Sequence, residues 1–549
     1  MFKPPAEGGH EHLVAPGGPY ELRPQKRNGY SVLGFSRAPA SLRHTIERAR
    51  RLGKAPFLSE FGGNWLSYGV IFAEADRIAA ALVSKRLDGH RRRVGVSFEG
   101  GYHAVAALLG VVIAGHVPVL IPPAKRGLLR HTLESLGCSD ILCVDDAPRS
   151  KGAPGRPTGR IAIQESVRDG SPRPPHVHSI LQDEALISFT SGSTGRPKAV
   201  VHTEFGVGNG LMNMMLGGAL LAARRKGTQL RAGEAQSFRG PPSTFLVSPI
   251  HHVSAYMQVF LQMMMGGKIV LGCDDDQKSR MLDAVEGENV RTIVGCTPAD
   301  LRYLAENPDR CASLVALYLN GYAAQASLIS RVRLALPHIN LGTGYGMTEM
   351  GGGISAIDGE ELLRNPLSSG RIFPSVEVKV TDPSGRTVKD GVAGTIYVRG
   401  AMGMECYATA QDLSFPEKGW IKTGDVGYVQ CQELFVCDRE RDIGISGGLQ
   451  ISCQDVSRTV LEIVGTIDCA TFFAQNDSGM SCIVVALVAN ERKSTELAVR
   501  EVLQRRYSLE NIAIMICAEI PRNGIGKLEI GKLQEMALKS GNSLVFSDT

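Results

Sequence analysis

The chain has 549 residues, of which 43% are hydrophobic and 21% charged, with a formal net charge of +5. That length exceeds one compact core and predicts about two to four domains of an ordinary globular protein, not a fibrous or disordered one. So mild a positive charge does not by itself indicate nucleic acid, although it suits a small anionic substrate.

Twelve cysteines are scattered without a C-x-x-C pair. No zinc pattern or secretory signal accompanies them, so free thiols in a reducing cytoplasm are expected.

Residues 1–40 are rich in Gly, Pro and Arg without a sustained period. They are expected to wrap the surface as an N-terminal extension or to stay partly mobile. From 41 to about 146 the pattern alternates: "SYGVIFAEADRIAAALVSKRL" is helical, "RVGVSFEG" strand-like, "HAVAALLGVVIAG" helical and "DILCVDD" strand-like. The most apolar run, 104–123, contains His116 and Pro118 and reads as a buried helix, a turn at Gly115 and a short strand, with no membrane span. Alternation of this kind predicts α/β layers around largely parallel strands. The Pro/Gly/Arg stretches 148–160 and 224–243 read as exposed loops, after which "KIVLG", "RTIVGCTP" and "LVALYLNG" resume strands. Residues 366–440 turn β-rich, and "IGISGGLQIS" opens a final region with its own strands and helices. The expected architecture is therefore a large domain, 41–438, of layered α/β subdomains plus a β-rich subdomain. A small, mobile α+β domain, 439–549, follows it.

The stretch "FTSGSTGRPKAVVHT" offers the hydroxyls of Thr190, Ser191, Ser193 and Thr194, amides freed by Gly192 and Gly195, and the cations Arg196 and Lys198. Such a loop suits phosphate, but it lacks the spacing of the ordinary P-loop. Five further stretches stand out: "SPIHHVSAYM" with His252, "GTGYGMTEM" with Tyr345, Thr348 and Glu349 in a glycine-rich turn, and "GWIKTGDVGY" with Asp425 in a tight loop, followed by "DRERDIGISGG" with Arg439 and "PRNGIGKLEIGKL" with Lys527. Taken singly, Tyr345 reads as a core aromatic, Asp425 as a turn residue, Glu349 as a helix cap, His252 as a buried histidine and Lys527 as a surface lysine.

In this order and spacing the series resembles the AMP-forming adenylating superfamily, which contains acyl- and aryl-CoA synthetases, peptide-synthetase adenylation domains and luciferases. The resemblance covers roughly residues 55 to 535. It implies activation of a carboxylic acid by ATP to an acyl-adenylate, release of pyrophosphate, and transfer to a thiol. The thiol would belong to CoA or to the phosphopantetheine of an acyl carrier protein. By resemblance, Thr190–Lys198 holds the β- and γ-phosphates, with Thr194 and Lys198 among the contacts. Tyr345, flanked by Gly344, Gly346 and Met347, stacks on adenine, with Gly321, Tyr322 and Ala323 lining its other side. Thr348 contacts the α-phosphate, Glu349 binds Mg²⁺, and Asp425 and Arg439 reach the ribose. Lys527 bridges the carboxylate and α-phosphate, Arg441 is the hinge, and Gly447 and Gly448 line the thiol's path.

Amino-acid-activating members carry an Asp near the position of His252, which pairs with the substrate ammonium. His252 instead resembles the gate of acyl- and aryl-CoA synthetases. An acid pocket is expected among Leu211, Met212, Met215, His252, Thr297 and Gly342, suited to an aliphatic or aryl acid. The chain departs from the family pattern at Ala199, Gly444, Cys453, Asp455 and Ile530. Two rival readings are a P-loop kinase or NTPase, which gives no reason for Lys527, and a catalytically silent scaffold of the same fold.

Overall fold

The computed structural model describes residues 11–59, 64–84, 91–98, 100–138, 140–144, 161–165, 183–190, 197–226, 241–272, 277–320, 326–408, 413–446, 449–476, 481–509, 511–522, 528–539 and 544–545. Its backbone is built on two large sheets and a smaller one. The first is eight-stranded, with 93–96, 117–120, 140–144 and 184–189 parallel at its centre. The apolar run at 102–123 divides as its residues predict. A buried helix, Tyr102–Ile113, ends before Gly115 (φ 80°), and the strand Val117–Leu120 follows. Only glycine adopts that φ at little cost, so the turn falls there.

The second sheet has thirteen strands and passes without a break from an α/β half into a β-rich half. Strands 243–246, 268–271, 292–296, 316–320 and 340–347 run parallel, as alternating strand and helix require. At 352–358 the sense turns antiparallel, and strands 371–372, 433–439, 421–430, 394–400 and 376–381 continue the row; at the other edge 56–59 and 66–67 follow 268–271 and complete it.

The long helix Glu204–Lys226 lies between the cores. Leu211 packs in the core of the first α/β layer, Met212 and Leu216 in that of the β-rich half. Buried amides fix it in place: Asn213 Nδ2 donates to Gly353 O at 2.8 Å, and Asn209 Oδ1 accepts from the Phe35 amide at 2.8 Å. By length and hydropathy its segment Glu204–Arg224 also qualifies as a membrane span, but 67% of its apolar window is buried inside the fold.

The C-terminal region has a four-stranded sheet, ordered 512–516, 481–489, 466–476 and 544–545. Along "SCIVVALVA", Ile483, Val485 and Leu487 face helices Cys453–Leu461 and Arg492–Tyr507, while Cys482, Val484 and Ala486 face helix Ile530–Lys539. Both faces are covered, which explains an unbroken apolar run where a one-sided sheet would alternate.

Part of the N-terminal extension, expected to wrap the surface or stay partly mobile, is laid onto the fold as a hairpin. Leu22–Arg27 and Tyr30–Phe35 form an antiparallel hairpin. Its Val32 and Phe35 are buried, and Arg27 reaches the carbonyls of Ala401 (3.1 Å) and Gly403 (2.8 Å) and the Glu405 carboxylate (2.9 Å). None of the eleven described cysteines forms a disulfide.

Candidate active site

The glycine-rich loop sits between antiparallel strands Glu184–Phe189 and Ala199–Thr203. Its base is tied shut: the Thr190 amide donates to Lys198 O at 3.0 Å, and the Lys198 amide donates to Thr190 Oγ1 at 3.1 Å. Ser191, Gly192, Ser193, Thr194, Gly195 and Arg196 lie outside the described residues, as do Gly321, Tyr322, Ala323, Gly447, Gly448 and Lys527. On the strands that flank this segment, Ser188 Oγ lies 3.4 Å from His202 Nε2 and 3.3 Å from the Tyr256 hydroxyl. Burial pushes the His202 imidazole down to about 3, so it stays neutral.

The segment expected as a glycine-rich turn is instead the end of a strand, Asn340–Met347, followed by a short 3₁₀ turn at Thr348–Met350. The glycines serve close packing: a Cβ on Gly344 would meet Ser355 O at 2.5 Å, and one on Gly346 would meet Gly352 O at 2.4 Å. Asp425, expected in a tight loop, also lies on a strand, Ile421–Gln430, directly opposite Arg439. Gly424 (φ 75°) supplies the local kink that made the sequence read as a turn.

The end of the strand delivers side chains to two groups of contacts. On one, the Tyr345 hydroxyl donates to Asp425 Oδ2, and Arg439 Nε lies 3.4 Å from Asp425 Oδ1. Burial and then the Asp425 charge hold the Tyr345 phenol well above its ordinary range, so it remains a donor. On the other, the Tyr407 hydroxyl donates to Glu349 Oε1 at 2.7 Å, and Lys198 Nζ sits 5.0 Å from the centre of the Tyr407 ring. The main chain holds Glu349 as well, with its carbonyl accepting from the Met404 amide at 2.6 Å.

Glu349 is 9% exposed, and among the described residues no hydrogen-bond donor reaches its Oε2. A buried, fixed carboxylate with an oxygen to spare fits Mg²⁺, which takes one or two carboxylates and completes its shell with phosphates and water.

The residues expected to line the acid pocket come from four elements. Leu211 and Met212 are buried in separate cores, with Met215 packed against both. Thr297 caps the helix Pro298–Ala305: its hydroxyl donates to Asp300 Oδ2 at 2.7 Å and accepts from the Asp300 amide. Gly342 lies against the Tyr318 ring. His252 is the residue before helix Val253–Met265, and its amide donates to Pro249 O. The neighbouring His251 is half-buried and pushed down to about 4, by desolvation first and then by the Lys125 charge.

At the start of the C-terminal region, Arg441 lies in a 3₁₀ turn, Glu440–Asp442, with Nε 3.5 Å from Asp442 Oδ1. Gly444, where lysine is frequent in the family pattern, has the Phe473 ring 2.4 Å from the place a Cβ would take. A side chain there requires Phe473 to move. Sequence reasoning passed over Tyr407 and Asp438. Asp438 Oδ2 accepts from Ser452 Oγ (2.7 Å) and the Gln454 amide (2.8 Å), capping the helix Cys453–Leu461. Strand alternation in "GMECYATA" turns Tyr407 to one face, but nothing local reveals its partners.

Comparison with known proteins decides the family. The model of the AMP-binding enzyme family matches residues 46–408. This chain belongs to the AMP-binding enzyme family. The resemblance to the adenylating superfamily is thereby borne out. A feruloyl-CoA synthase of Amycolatopsis sp. is 28% identical over 447 residues, covering 77% of this chain and 84% of the relative. Among solved structures, O-succinylbenzoate coenzyme A synthetase (MenE) from Bacillus subtilis, in complex with AMP, has a TM-score of 0.70 at 20% identity. That match covers 89% of this chain and 97% of the other. The amide bond synthetase McbA from Marinactinospora thermotolerans has a TM-score of 0.65 at 21% identity, covering 90% and 99%. The α/β fold of the AMP-binding enzymes is thus the fold of this chain.

Proposed function

We propose that this chain uses ATP to activate a carboxylic acid as its acyl-adenylate and passes the acyl group to the thiol of CoA. The observation carrying this reading is the double delivery from 345–349. Tyr345 meets Asp425, which pairs with Arg439, while Glu349 meets Tyr407, whose ring lies against Lys198, within a family that binds AMP. In the first step a carboxylate oxygen bonds to the α-phosphorus as the bond to pyrophosphate breaks, the electron pair leaving on pyrophosphate. In the second, the thiol sulfur bonds to the acyl carbon and AMP departs.

Both steps bring anions together, so fixed positive charge and excluded water are what the protein must supply. Thr194 and Lys198 would hold the phosphates, Tyr345 the adenine, Thr348 the α-phosphate, Asp425 and Arg439 the ribose. Lys527 would steady the charge gathering on the α-phosphate. Glu349 would hold Mg²⁺, which supplies charge neutralisation for the departing pyrophosphate.

An apolar aliphatic or aryl acid fits better than an α-amino acid. His252 offers no counter-charge to an ammonium, and desolvating one unpaired costs on the order of several kcal/mol. The relative named as a CoA synthase supports CoA as acceptor. Loading of a carrier-protein phosphopantetheine would use the same thiol chemistry, and the amide bond synthetase of the same fold makes an amine acceptor a further arm of the test. The deciding assay is ATP–pyrophosphate exchange over a panel of carboxylic acids, followed by product analysis with CoA, a phosphopantetheinylated carrier and simple amines. Exchange without any acceptor, strongest for apolar acids, is expected. Absence of exchange from folded protein favours a silent scaffold, and a tenfold preference for an α-amino acid refutes the pocket reading.

A further inference from the structure

Tyr407 touches two residues whose proposed duties are opposite in charge. Its hydroxyl holds the Glu349 carboxylate, and its ring lies beneath the Lys198 ammonium. Its placement comes from the main chain on both sides. Strand Cys406–Ala408 pairs with Ala199–Val201, setting Tyr407 opposite Val200, and with Leu413–Ser414, setting it opposite Ser414. The ring is therefore fixed relative to Lys198, two residues before Val200. Glu349 is a long, flexible side chain, but its backbone carbonyl is pinned by Met404 and its carboxylate by Tyr407.

We propose that Tyr407 is a positioning residue with two tasks. Its hydroxyl aims Glu349 at the divalent cation that accompanies ATP. Its ring keeps Lys198 from closing onto that carboxylate, so the ammonium remains available to phosphate oxygens. The proposal rests on the adenylation reading above. A cation over an aromatic face keeps its charge, whereas a direct lysine–glutamate pair would neutralise both groups and cost each its ligand. Orienting partners of metal-binding side chains typically change metal affinity about 10- to 100-fold.

The test uses the full-length protein and four variants: Tyr407→Phe, Tyr407→Ala, Glu349→Gln and the pair Tyr407→Phe/Glu349→Gln. Binding of a fluorescent ATP analogue is measured without metal and over a Mg²⁺ titration, with pyrophosphate exchange measured in parallel. Tyr407→Phe keeps the ring and loses the hydroxyl. It should raise the Mg²⁺ concentration for half-saturation about tenfold and leave metal-free nucleotide affinity within about twofold. Exchange should show the same split, with a raised Mg²⁺ requirement and a maximal rate reduced less than about threefold. Glu349→Gln should shift the Mg²⁺ requirement at least as far, and the pair no further than Glu349→Gln alone. Tyr407→Ala should add about a tenfold loss of metal-free affinity, because Lys198 can now pair with Glu349. A wild-type Mg²⁺ requirement in Tyr407→Phe, or additive losses in the pair, overturns the aiming task while Glu349 remains the metal residue. Unchanged metal-free affinity in folded Tyr407→Ala overturns the spacer task. A wild-type Mg²⁺ requirement in Glu349→Gln overturns the metal reading of Glu349 itself, and the aiming task falls with it.

Discussion

Replacing Arg27 with methionine tests how the N-terminal hairpin serves the site. The substitution keeps an apolar stem of similar length and deletes three contacts, those to Ala401 O, Gly403 O and Glu405 Oε2. Arg27 and Glu405 side chains are 6% and 13% exposed, so the carboxylate left behind is largely cut off from water. It keeps one donor, Asn28 Nδ2, at 2.6 Å. Breaking one half of a buried pair typically costs 3–5 kcal/mol, and the remaining Asn28 contact argues for the lower end, about 3 kcal/mol. If that cost falls on hairpin docking, the undocked population rises about a hundredfold. Hydrogen–deuterium exchange of peptides spanning 20–36 and 400–408 reads this directly. Protection should fall in both peptides, because Arg27 joins them. The Met404 amide holds Glu349, so pyrophosphate exchange should weaken in step. The pair Arg27→Met/Glu405→Met removes both charges and should recover most of the protection. Unchanged protection in the single variant, or a pair as labile as the single, refutes the clamp.

Lys527→Ala should slow adenylation about 10²- to 10³-fold yet still pass a supplied acyl-adenylate to its thiol, while Arg441→Pro should do the reverse by fixing the backbone at the proposed hinge. Equal losses in both half-reactions for Lys527→Ala, measured with pre-made adenylate, would show that Lys527 serves both steps and not adenylation alone. His202 titrates near 6.5 unfolded but only about 3 when buried, so it contributes stability present above pH 6.5 and lost as pH falls below it. His202→Gln should therefore flatten the fall in melting temperature between pH 6.5 and 4, and an unaltered slope would show that His202 is protonated without unfolding. Burial raises the Asp438 carboxyl to about 6 from 3.8, so its contribution is full below pH 4 and is lost as pH rises through 6. Relative to wild type, Asp438→Asn should gain thermal stability between pH 5 and 7, and a constant difference across that range would refute this.

Much of the fold was legible because its signals are local. The helix at 102–113, the Gly115 turn and the strand at 117–120 follow from an apolar run, a glycine and a proline standing within twenty residues. The hairpin was not legible: "LRPQKR" is too polar to read as a strand, and its burial depends on acceptors near 400. Asp425 read as a turn because Gly424 marks a kink inside a strand whose partner, 433–439, shows only when the sheet is assembled. Tyr407 stands 58 positions from Glu349 and gave no signal, since long-range contacts leave no periodicity. Thr297 gave a signal open to two readings. T-P-A-D is a capping box, and the hydroxyl expected at the acid is engaged there.

The cap at Asp438 has a consequence for how water enters the working cycle. Its carboxylate receives hydrogen bonds from Ser452, Gln454 and the Arg439 amide, two of them from beyond Arg441, the proposed hinge. Rotation about that hinge that carries Ser452 and Gln454 away leaves the carboxylate to be satisfied by solvent. The helix Cys453–Leu461 then also needs water at its first turn. Each swing out of the present pose would thus take up a small number of water molecules and each return would shed them. The balance between poses would then respond to osmotic stress. Sucrose or another excluded osmolyte should draw the protein toward the capped arrangement without touching any ligand site.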